Sequence, residues 1–300
     1  MSAIEREIRP MRVKSLINHT SSHYGFDATV NPYRGCSHAC KYCYARESHT
    51  YLDLGIGPDF ETVLFSKTFT RTQVRDELLR LPLSKILAIG TATDPYQPLE
   101  GQTRNTRSVL EALVESGHGV TITTKSPLIL RDLDILKVLA GRGQVMVHIS
   151  LITMDRDLCR QLEPGTASPA RRWRTVDQLV ASGVPVALFC APVIPAWTDQ
   201  WGNLDALFHT AVVHKVSWIM TGFSHFTPNM LAYFSEYLAT LDADRTRSFR
   251  SHFDDQSNLR VEYRQTLSAR FRQLYDRYQM PSHGCGPVPF QAFEQAQWIF

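Results

Sequence analysis

The chain has 300 residues, a length that fits one α/β barrel with a short appendage. Hydrophobic residues make up 43% of it and charged residues 20%, ordinary values for a globular protein with a large buried core. The formal net charge of +3, from 32 basic and 29 acidic residues, is too small to indicate a polyanion partner, although net charge averages over the surface and is compatible with a local basic groove.

The first residues and the cysteine content both indicate a reducing compartment. The N-terminus contains both acidic and basic residues and lacks the apolar run of a secretory signal. No apolar run in the chain is long enough to span a bilayer. We therefore expect a cytoplasmic protein with no membrane partner. Thiols stay reduced there, so six cysteines are more consistent with metal binding or catalysis than with disulfides.

The middle of the chain alternates short apolar runs with longer amphipathic ones. The runs predicted as strands are Phe26–Pro32, Ile86–Thr91, Gly119–Thr124, Val145–Leu151, Pro185–Ala191 and Val216–Thr221. The helical patterns between them are Cys43–Tyr51, Asn105–Ser116, Leu128–Ala140, Arg171–Ala181 and Asn203–Val213. Such repeats indicate a parallel sheet with right-handed crossovers. Six strands predict an α/β fold, a partial (β/α)6 TIM-like barrel that stays open.

After Thr221 the pattern changes to helices, which we predict at Asn229–Leu241 and Asn258–Tyr278. We therefore divide the chain into an N-terminal extension (1–25), a barrel (26–225) and a C-terminal helical region with a tail (226–300). The C-terminal part is rich in arginines, nearly balanced by acids. A solvated helical face is the simpler interpretation, and a phosphate-binding stripe with aromatic residues nearby is the other.

Three cysteines, Cys36, Cys40 and Cys43, follow the first predicted strand with CxxxCxxC spacing. Three thiolates this close in sequence can ligate three irons of a 4Fe–4S cluster and leave the fourth iron open. The open iron suits the amine and carboxylate of S-adenosylmethionine. One electron would then break a C–S bond and give a 5′-deoxyadenosyl radical that abstracts a substrate hydrogen. A one-electron reductant of the flavodoxin or ferredoxin type would supply that electron.

Aromatic neighbours and position support this interpretation of the triad. Tyr42 and Tyr44 would place their rings beside the cluster and the adenine. The triad also follows a strand at its C-terminal end, where barrel active sites are built. The alternative is a zinc site, but zinc usually takes four ligands in two pairs, and the other cysteines (Cys159, Cys190 and Cys285) are isolated.

With its surroundings, CSHACKYCYAR resembles the signature of the radical SAM superfamily. The segments NPYRGC, GTATDPYQPLE, TTKSPLILRD, LEPGTASPARR and APVIP resemble the branch that contains spore photoproduct lyase, in the expected order over residues 31–195. The match is to the wider lyase-like group and not to the lyase itself. It implies a radical enzyme that uses a 4Fe–4S cluster and S-adenosylmethionine.

The resemblance also implies cofactor contacts at four later strand ends. Thr93, followed by Asp94, takes the place of a hydroxyl residue that helps to hold S-adenosylmethionine. Lys125 matches a lysine that pairs with the methionine carboxylate, and Ser150 matches a serine that contacts the cofactor. Ala191, in an Ala-Pro pair, matches a contact to adenine.

One departure from the lyase concerns the hydrogen that returns to the product. The lyase carries a cysteine three residues before the aspartate, where this chain has Thr91, whose O–H bond is too strong to donate hydrogen to a carbon radical. Thymine-dimer repair by the lyase mechanism is therefore not expected. Tyr96 is a candidate radical relay or a packed barrel-rim aromatic. Cys285, between two glycines, is a candidate hydrogen donor or an exposed loop thiol.

Three interpretations of function follow. The lyase-like segments and C-terminal arginines favour radical chemistry on a nucleic acid or nucleotide-type substrate. Thr91 and the modest net charge favour the same chemistry on a small metabolite or a peptide side chain. The third is a non-catalytic iron–sulfur or zinc protein. Glu163, in LEPGT, is either a surface charge at a helix end or part of a turn near the site.

Overall fold

The structure is a computed structural model that describes residues 6–20 and 25–281. The strands are β1 (Glu7–Arg12), β2 (Ile17–His19), β3 (Ala28–Val30), β4 (Tyr33–Arg34), β5 (Val63–Thr68), β6 (Ile86–Ile89), β7 (Gly119–Thr124), β8 (Val145–Ser150), β9 (Val186–Val193) and β10 (Trp218–Phe223). The α-helices are α1 (Pro58–Thr62), α2 (Arg71–Leu78), α3 (Glu100–Thr103), α4 (Asn105–Ser116), α5 (Leu133–Gly141), α6 (Arg156–Leu162), α7 (Pro169–Ala181), α8 (Trp201–Val213), α9 (Pro228–Ala239), α10 (Ala243–Ser251) and α11 (Val261–Tyr278). Cys285 and the C-terminal tail lie outside the described residues.

Seven strands form the main sheet in the order β10-β9-β8-β7-β6-β3-β2. All neighbours from β3 to β10 are parallel, and β2 pairs antiparallel with β3 at one edge. The six parallel strands are those predicted from the apolar runs, with helices in the connections. The predicted α/β class and the open six-stranded parallel arrangement are confirmed.

A second sheet of three strands, in the order β1-β5-β4, was not predicted. β1 pairs in parallel with β5, from Glu7 opposite Val63 to Arg12 opposite Thr68. The residues of β1 are exposed or half-buried, so this strand lacks the apolar run by which the others were recognised. Residues 7–19 of the N-terminal segment thus contribute a strand to each sheet.

Alternation along the strands separates a helix side from an interior side. On β8, Val147 and Ile149 belong to the large core that also contains Leu110 of α4 and Leu136 of α5. A smaller interior cluster consists of Ile86, Met146, Ala187, Trp218 and Met220, with Phe26 and Phe189 packed against it. Alternate residues of β8 therefore face the inside of the open barrel.

Two segments predicted as α-helix begin instead as 3₁₀-helix. The first covers Tyr44–Leu52, and it starts with a bond from the Arg46 amide to the carbonyl of Cys43, three residues earlier. The second covers Pro127–Asp132 and precedes α5. Both follow directly on site residues, so the tighter turns set how the chain leaves the site.

The C-terminal helices pack against the barrel. Phe226, Phe234, Phe249 and Phe253 form an aromatic cluster between the loop after β10 and the helices α9 and α10. The Tyr275 hydroxyl of α11 donates to a carbonyl of β10 at 2.7 Å. Across the described residues, no helix is both long and apolar enough to cross a membrane.

Several C-terminal arginines make contacts within the fold. The guanidinium of Arg245 lies 4.3 Å from the centre of the Trp197 ring. That of Arg264 lies 5.4 Å from the ring of Phe223, and Arg270 donates to a backbone carbonyl. These three side chains are half-buried, whereas the other arginines of this region are exposed. The phosphate-binding stripe therefore stays a prediction.

Candidate active site

The three cysteines of the triad lie on one loop after β4, residues 35–43, here called the cysteine loop. Cys36 and Cys40 are buried, and Cys43 is half-buried. The loop turns sharply at Gly35 (φ +77°), where a Cβ atom would lie 3.0 Å from the carbonyl oxygen of Val63. Burial raises the pKa of Cys36 to about 12, so a cationic partner such as iron is needed to keep its thiolate in this position.

Two side chains after β6 hold the backbone on both sides of Cys36. The carboxamide of Gln97 accepts from the Ser37 amide at 3.0 Å and donates to the Gly35 carbonyl at 3.1 Å. The Thr93 hydroxyl donates to the same carbonyl at 2.7 Å. Thr93 therefore supports the cysteine loop, and its contact with S-adenosylmethionine stays a prediction. Gln97 was missed, although it lies in the recognised segment GTATDPYQPLE.

Asp94 joins the cysteine loop to the end of β7. One carboxylate oxygen accepts from the Thr124 hydroxyl at 2.7 Å and from the Tyr96 amide at 2.9 Å, as in an Asx turn. The other accepts from the Lys125 amide at 2.8 Å and lies 3.1 Å from Nδ1 of His38, an ion-pair distance without hydrogen-bond angles. Burial opposes the charge, but the imidazole and the donors lower the Asp94 pKa to about 2. The carboxylate therefore stays charged.

Buried Arg46 holds the middle of the cysteine loop. Its Nε donates to the Cys40 carbonyl at 2.8 Å, and one terminal nitrogen donates to the carbonyls of Ile56 and Gly57. The other terminal nitrogen pairs with Glu61 at 2.5 Å. An arginine with its fork satisfied in this way fixes the backbone orientation at a cysteine.

Glu163 links the cysteine loop to the helix side of β8. Its buried carboxylate accepts from the Tyr42 hydroxyl and pairs with Arg172 at 2.5 Å. Arg172 also donates to the Ser150 carbonyl at 2.9 Å. Burial alone would raise the pKa of Glu163, but Arg172 and Lys125 lower it below its usual value. Glu163 is thus not a surface charge.

The turn after Glu163 packs directly on the cysteine loop. The Gly165 amide donates to the His38 carbonyl at 3.0 Å. A Cβ atom at Gly165 would lie 2.2 Å from the Ser37 carbonyl oxygen, so only glycine allows this approach. Of the two interpretations of the LEPGT segment, the structure supports the turn next to the site.

Lys125 follows β7 and points toward the cysteine loop. Its ammonium lies 5.9 Å from the centre of the Tyr42 ring. Burial opposes its charge, but Cys40 and Glu163 raise its pKa above the ordinary value. In the part of the chain that the structure describes, no carboxylate lies within 4.0 Å of this ammonium. Lys125 is therefore placed to receive an anionic group.

Ser150 is the last residue of β8, and Ala191 lies two residues before the end of β9. The Ser150 hydroxyl is fully buried and has no hydrogen-bond partner within residues 6–20 and 25–281. The Ala191 methyl lies 2.9 Å from where a Cβ atom at Gly222 would be, so β9 and β10 approach closely. Lys125, Ser150 and Ala191 thus lie at or near the C-terminal ends of three adjacent strands, and their contacts with S-adenosylmethionine stay predictions.

The two tyrosines predicted beside the cluster differ in their surroundings. Tyr42 is buried, and its ring packs edge-on against Phe234, 6.4 Å between centres. Tyr44 is more than half exposed, and its hydroxyl donates to the carbonyl of Thr91. Tyr42 is thus part of the wall of the site, whereas Tyr44 closes the loop after β6.

The proposed radical relay Tyr96 is fully buried in the core between helices and sheet. Burial, followed by the charges of Asp132 and Glu100, raises its pKa well above the usual value. The packed-aromatic interpretation fits this environment better. Cys285, the other catalytic candidate, lies outside the described residues.

Cys159 and Cys190 are both buried and distant in sequence from the triad. Within the described residues, no three His, Cys, Asp or Glu side chains converge as ligands of a single metal ion. A cluster spreads its thiolates over several irons, so the cysteines that hold it need not converge on one point. The cysteine loop fits a cluster, and the Ser150 hydroxyl and Lys125 ammonium, which have no hydrogen-bond partner among the described residues, fit a bound cofactor that carries a carboxylate.

The chain is similar in sequence to known proteins. Residues 30–206 match the family described as the radical SAM superfamily. An uncharacterised protein of Mycobacterium tuberculosis is 34% identical over 276 residues, 89% of this chain and 81% of that protein. An uncharacterised protein of Methanocaldococcus jannaschii is 27% identical over 193 residues, 64% of this chain and 70% of that protein.

The fold also resembles solved structures of spore photoproduct lyase. The lyase complexed with dinucleoside spore photoproduct superposes with a TM-score of 0.68 at 16% identity, covering 90% of this chain and 79% of that chain. A lyase variant with bound AdoMet and the same dinucleoside gives a TM-score of 0.63, at the same identity and coverage. At this identity the likeness concerns the fold.

Proposed function

This chain belongs to the radical SAM superfamily, and on that basis we propose that it cleaves S-adenosylmethionine reductively at a 4Fe–4S cluster bound by Cys36, Cys40 and Cys43. We further propose that the radical formed abstracts hydrogen from a nucleic acid or nucleotide-type substrate. The observation that carries the proposal is the cysteine loop, which contacts from the segment after β6, the residue after β7 and the LEPGT turn hold above the strand ends.

The chain's own residues bind, orient and exclude water. Gln97, Thr93 and Arg46 fix the backbone of the cysteine loop, so the three thiolates are presented in one arrangement. Lys125 would pair with the methionine carboxylate, and the Ser150 hydroxyl would donate to the cofactor. When bound, the cluster and S-adenosylmethionine supply the 5′-deoxyadenosyl radical.

The environment also limits side reactions. Beside the cysteine loop, the site is lined by the packed rings of Tyr42 and Phe234. The buried ion pair of Glu163 with Arg172 lies behind them. Such a dry wall keeps water from the reacting groups. A flavodoxin- or ferredoxin-type protein would deliver the electron.

The support for a nucleotide-type substrate comes from the fold and from the barrel interior. The solved lyase structures with dinucleoside spore photoproduct share this fold over 90% of the chain. The interior of the open barrel also contains the aromatic rings of Phe189 and Trp218, which suit a flat partner. A DNA- or RNA-binding measurement over a range of salt concentrations tests this substrate class, and no binding at any salt concentration contradicts it.

Anaerobic reconstitution tests the chemistry. We expect about four iron per chain and, after reduction, release of methionine and 5′-deoxyadenosine from S-adenosylmethionine. Cys40→Ser should lose the cluster and all cleavage. Cys190→Ser, which replaces a buried cysteine outside the triad, is the matched control and should keep both. A wild-type chain that retains zinc and cleaves nothing would leave the non-catalytic interpretation standing.

The second candidate keeps the chemistry and changes the substrate to a small metabolite or a peptide side chain. Thr91 favours it, because Thr91 stands where the lyase has its hydrogen-donating cysteine. The Thr91 hydroxyl instead accepts a hydrogen bond from Asn31 at 3.0 Å. Transfer of deuterium from a labelled candidate into 5′-deoxyadenosine would establish it. Absence of transfer from every such pool would argue against it.

A further inference from the structure

One buried polar side chain on β8 has no role in the chemistry described so far. Met146, His148 and Ser150 are alternate residues on the interior face, since Val147 and Ile149 pack on the helix side. Two residues of a strand span about 7 Å. His148 therefore lies one layer below Ser150, inside the open barrel.

The ring of His148 has one nitrogen without a partner. The side chain is 5% exposed, and in the part of the chain that is described no hydrogen bond reaches Nε2. The other nitrogen, Nδ1, lies 3.4 Å from the Thr123 hydroxyl of β7, its neighbour across the sheet. A buried polar atom without a partner is costly, and each one calls for an explanation such as a bound water, an ion or a functional role. Ser150 has the proposed cofactor contact, and His148 has none.

The surroundings of His148 are flat, aromatic and uncharged. Its ring is parallel to that of Phe189, with an interplanar angle of 11° and 6.2 Å between centres. Trp218 meets it edge-on at 5.7 Å. Burial lowers its pKa to about 4, so the imidazole is neutral at pH 7. A charged ligand would be poorly solvated in this layer.

We propose that Nε2 of His148 hydrogen-bonds the polar edge of a nucleobase-type ring of the substrate, bound inside the barrel below the cofactor. The inference rests on the proposed function and narrows its substrate to a flat, uncharged heterocycle. A neutral imidazole either donates or accepts one hydrogen bond, according to the tautomer that Thr123 stabilises, and aromatic walls favour a planar partner.

The test is anaerobic calorimetry on the reconstituted protein with S-adenosylmethionine bound and no reductant. The probes are thymidine, uridine, cytidine, adenosine and guanosine, with N-acetylated amino acid amides for comparison. We expect at least one nucleoside to bind and His148→Leu to weaken it about tenfold or more, the effect of losing about 1.4 kcal/mol. Iron content and S-adenosylmethionine binding should not change.

The control is His118→Leu, which removes a buried histidine whose two ring nitrogens already lie near the Ser116 hydroxyl and the Leu81 carbonyl. It should leave nucleoside affinity unchanged. If His148→Leu does not fold, His148→Gln replaces it, and ¹⁵N-histidine NMR of the wild type must show Nε2 shifting when the nucleoside is added.

Three results would overturn the inference: no nucleoside binds, only the amino acid amides bind, or the His148 variants bind as the wild type does. Each is distinguishable from failure of the proposed function, which would appear as a wild-type protein that releases no 5′-deoxyadenosine on reduction. A protein that cleaves S-adenosylmethionine but binds no nucleoside refutes the inference and leaves the proposed cleavage of S-adenosylmethionine intact.

Discussion

The side chain of Gln97 accepts a hydrogen bond from the backbone amide of Ser37, 60 residues earlier in the chain, at 3.0 Å. With its bond to the Gly35 carbonyl, it holds the peptide units on both sides of Cys36. The carboxamide is fully buried, and both its oxygen and its nitrogen are used. This one side chain therefore couples the end of β6 to the first cysteine of the triad.

Replacing Gln97 should disturb the cysteine loop before it disturbs the fold. We expect Gln97→Leu to lose about 1–3 kcal/mol of unfolding free energy, because the buried Ser37 amide is left unpaired and the Gly35 carbonyl keeps only its bond from Thr93. Iron bound after reconstitution should fall clearly below the wild-type amount. Gln178→Leu, on the exposed side of α7, is the control. A Gln97 variant with full iron content would show that the clamp is dispensable.

Breaking the buried pair beneath Tyr42 should cost much more stability. Glu163→Gln leaves the buried guanidinium of Arg172 without its counter-ion, and we expect a loss of about 3–5 kcal/mol in urea unfolding. Asp244→Asn, which breaks an exposed pair with Arg247, should change stability by less than about 1 kcal/mol. Similar effects from both variants would contradict the ion pairing assigned to Glu163.

Replacing Lys125 should weaken the binding of S-adenosylmethionine without loss of the cluster. We expect Lys125→Met to raise the Kd for S-adenosylmethionine about 10- to 100-fold, the usual range for one charge-assisted hydrogen bond. Iron content should stay at the wild-type value. Lys137→Met, on the exposed face of α5, serves as control. Unchanged affinity in Lys125→Met would separate this lysine from the methionine carboxylate.

The pH dependence of stability should carry the signature of His148. Its pKa is lowered from 6.5 to about 4 by burial. Between these two pH values the imidazole is protonated in the unfolded chain and neutral in the folded chain. The resulting stability is fully present above pH 6.5 and is lost as the pH falls toward 4, by about 3 kcal/mol in total. Urea unfolding from pH 7.5 to 4 should therefore show a shallower decline for His148→Leu. Parallel curves for the two proteins would refute the burial-driven shift.

A thiol at position 91 tests what separates this chain from the lyase. We expect Thr91→Cys, with the dinucleoside spore photoproduct as substrate, to gain measurable conversion that the wild type lacks, because a thiol can return hydrogen to a carbon radical. Thr91→Ser, which keeps a hydroxyl, is the control and should stay inactive. No gain in Thr91→Cys would place the difference in substrate binding. Chromatography of the reaction products makes the measurement.

Local pattern determined a large part of this protein. The six parallel strands were recognised because buried strands are apolar runs of short length, and the spacing of Cys36, Cys40 and Cys43 predicted their ligand role from adjacent residues alone. The family resemblance pointed to Lys125 and Ser150, and both fall at strand ends, which parallel strands bring to one edge.

Tertiary structure decided how those residues are held and what they face. Gln97 acts on Ser37 across 60 residues, and Glu163 on Tyr42 across 121. No periodicity reports such contacts, because a polar residue that will be buried and fully bonded looks in sequence like one that will be solvated. Likewise, only packing shows that β1 joins a sheet, and that His148 turns an uncharged ring nitrogen into the barrel. These contacts form between residues that are close in space, and separation along the sequence does not predict that closeness.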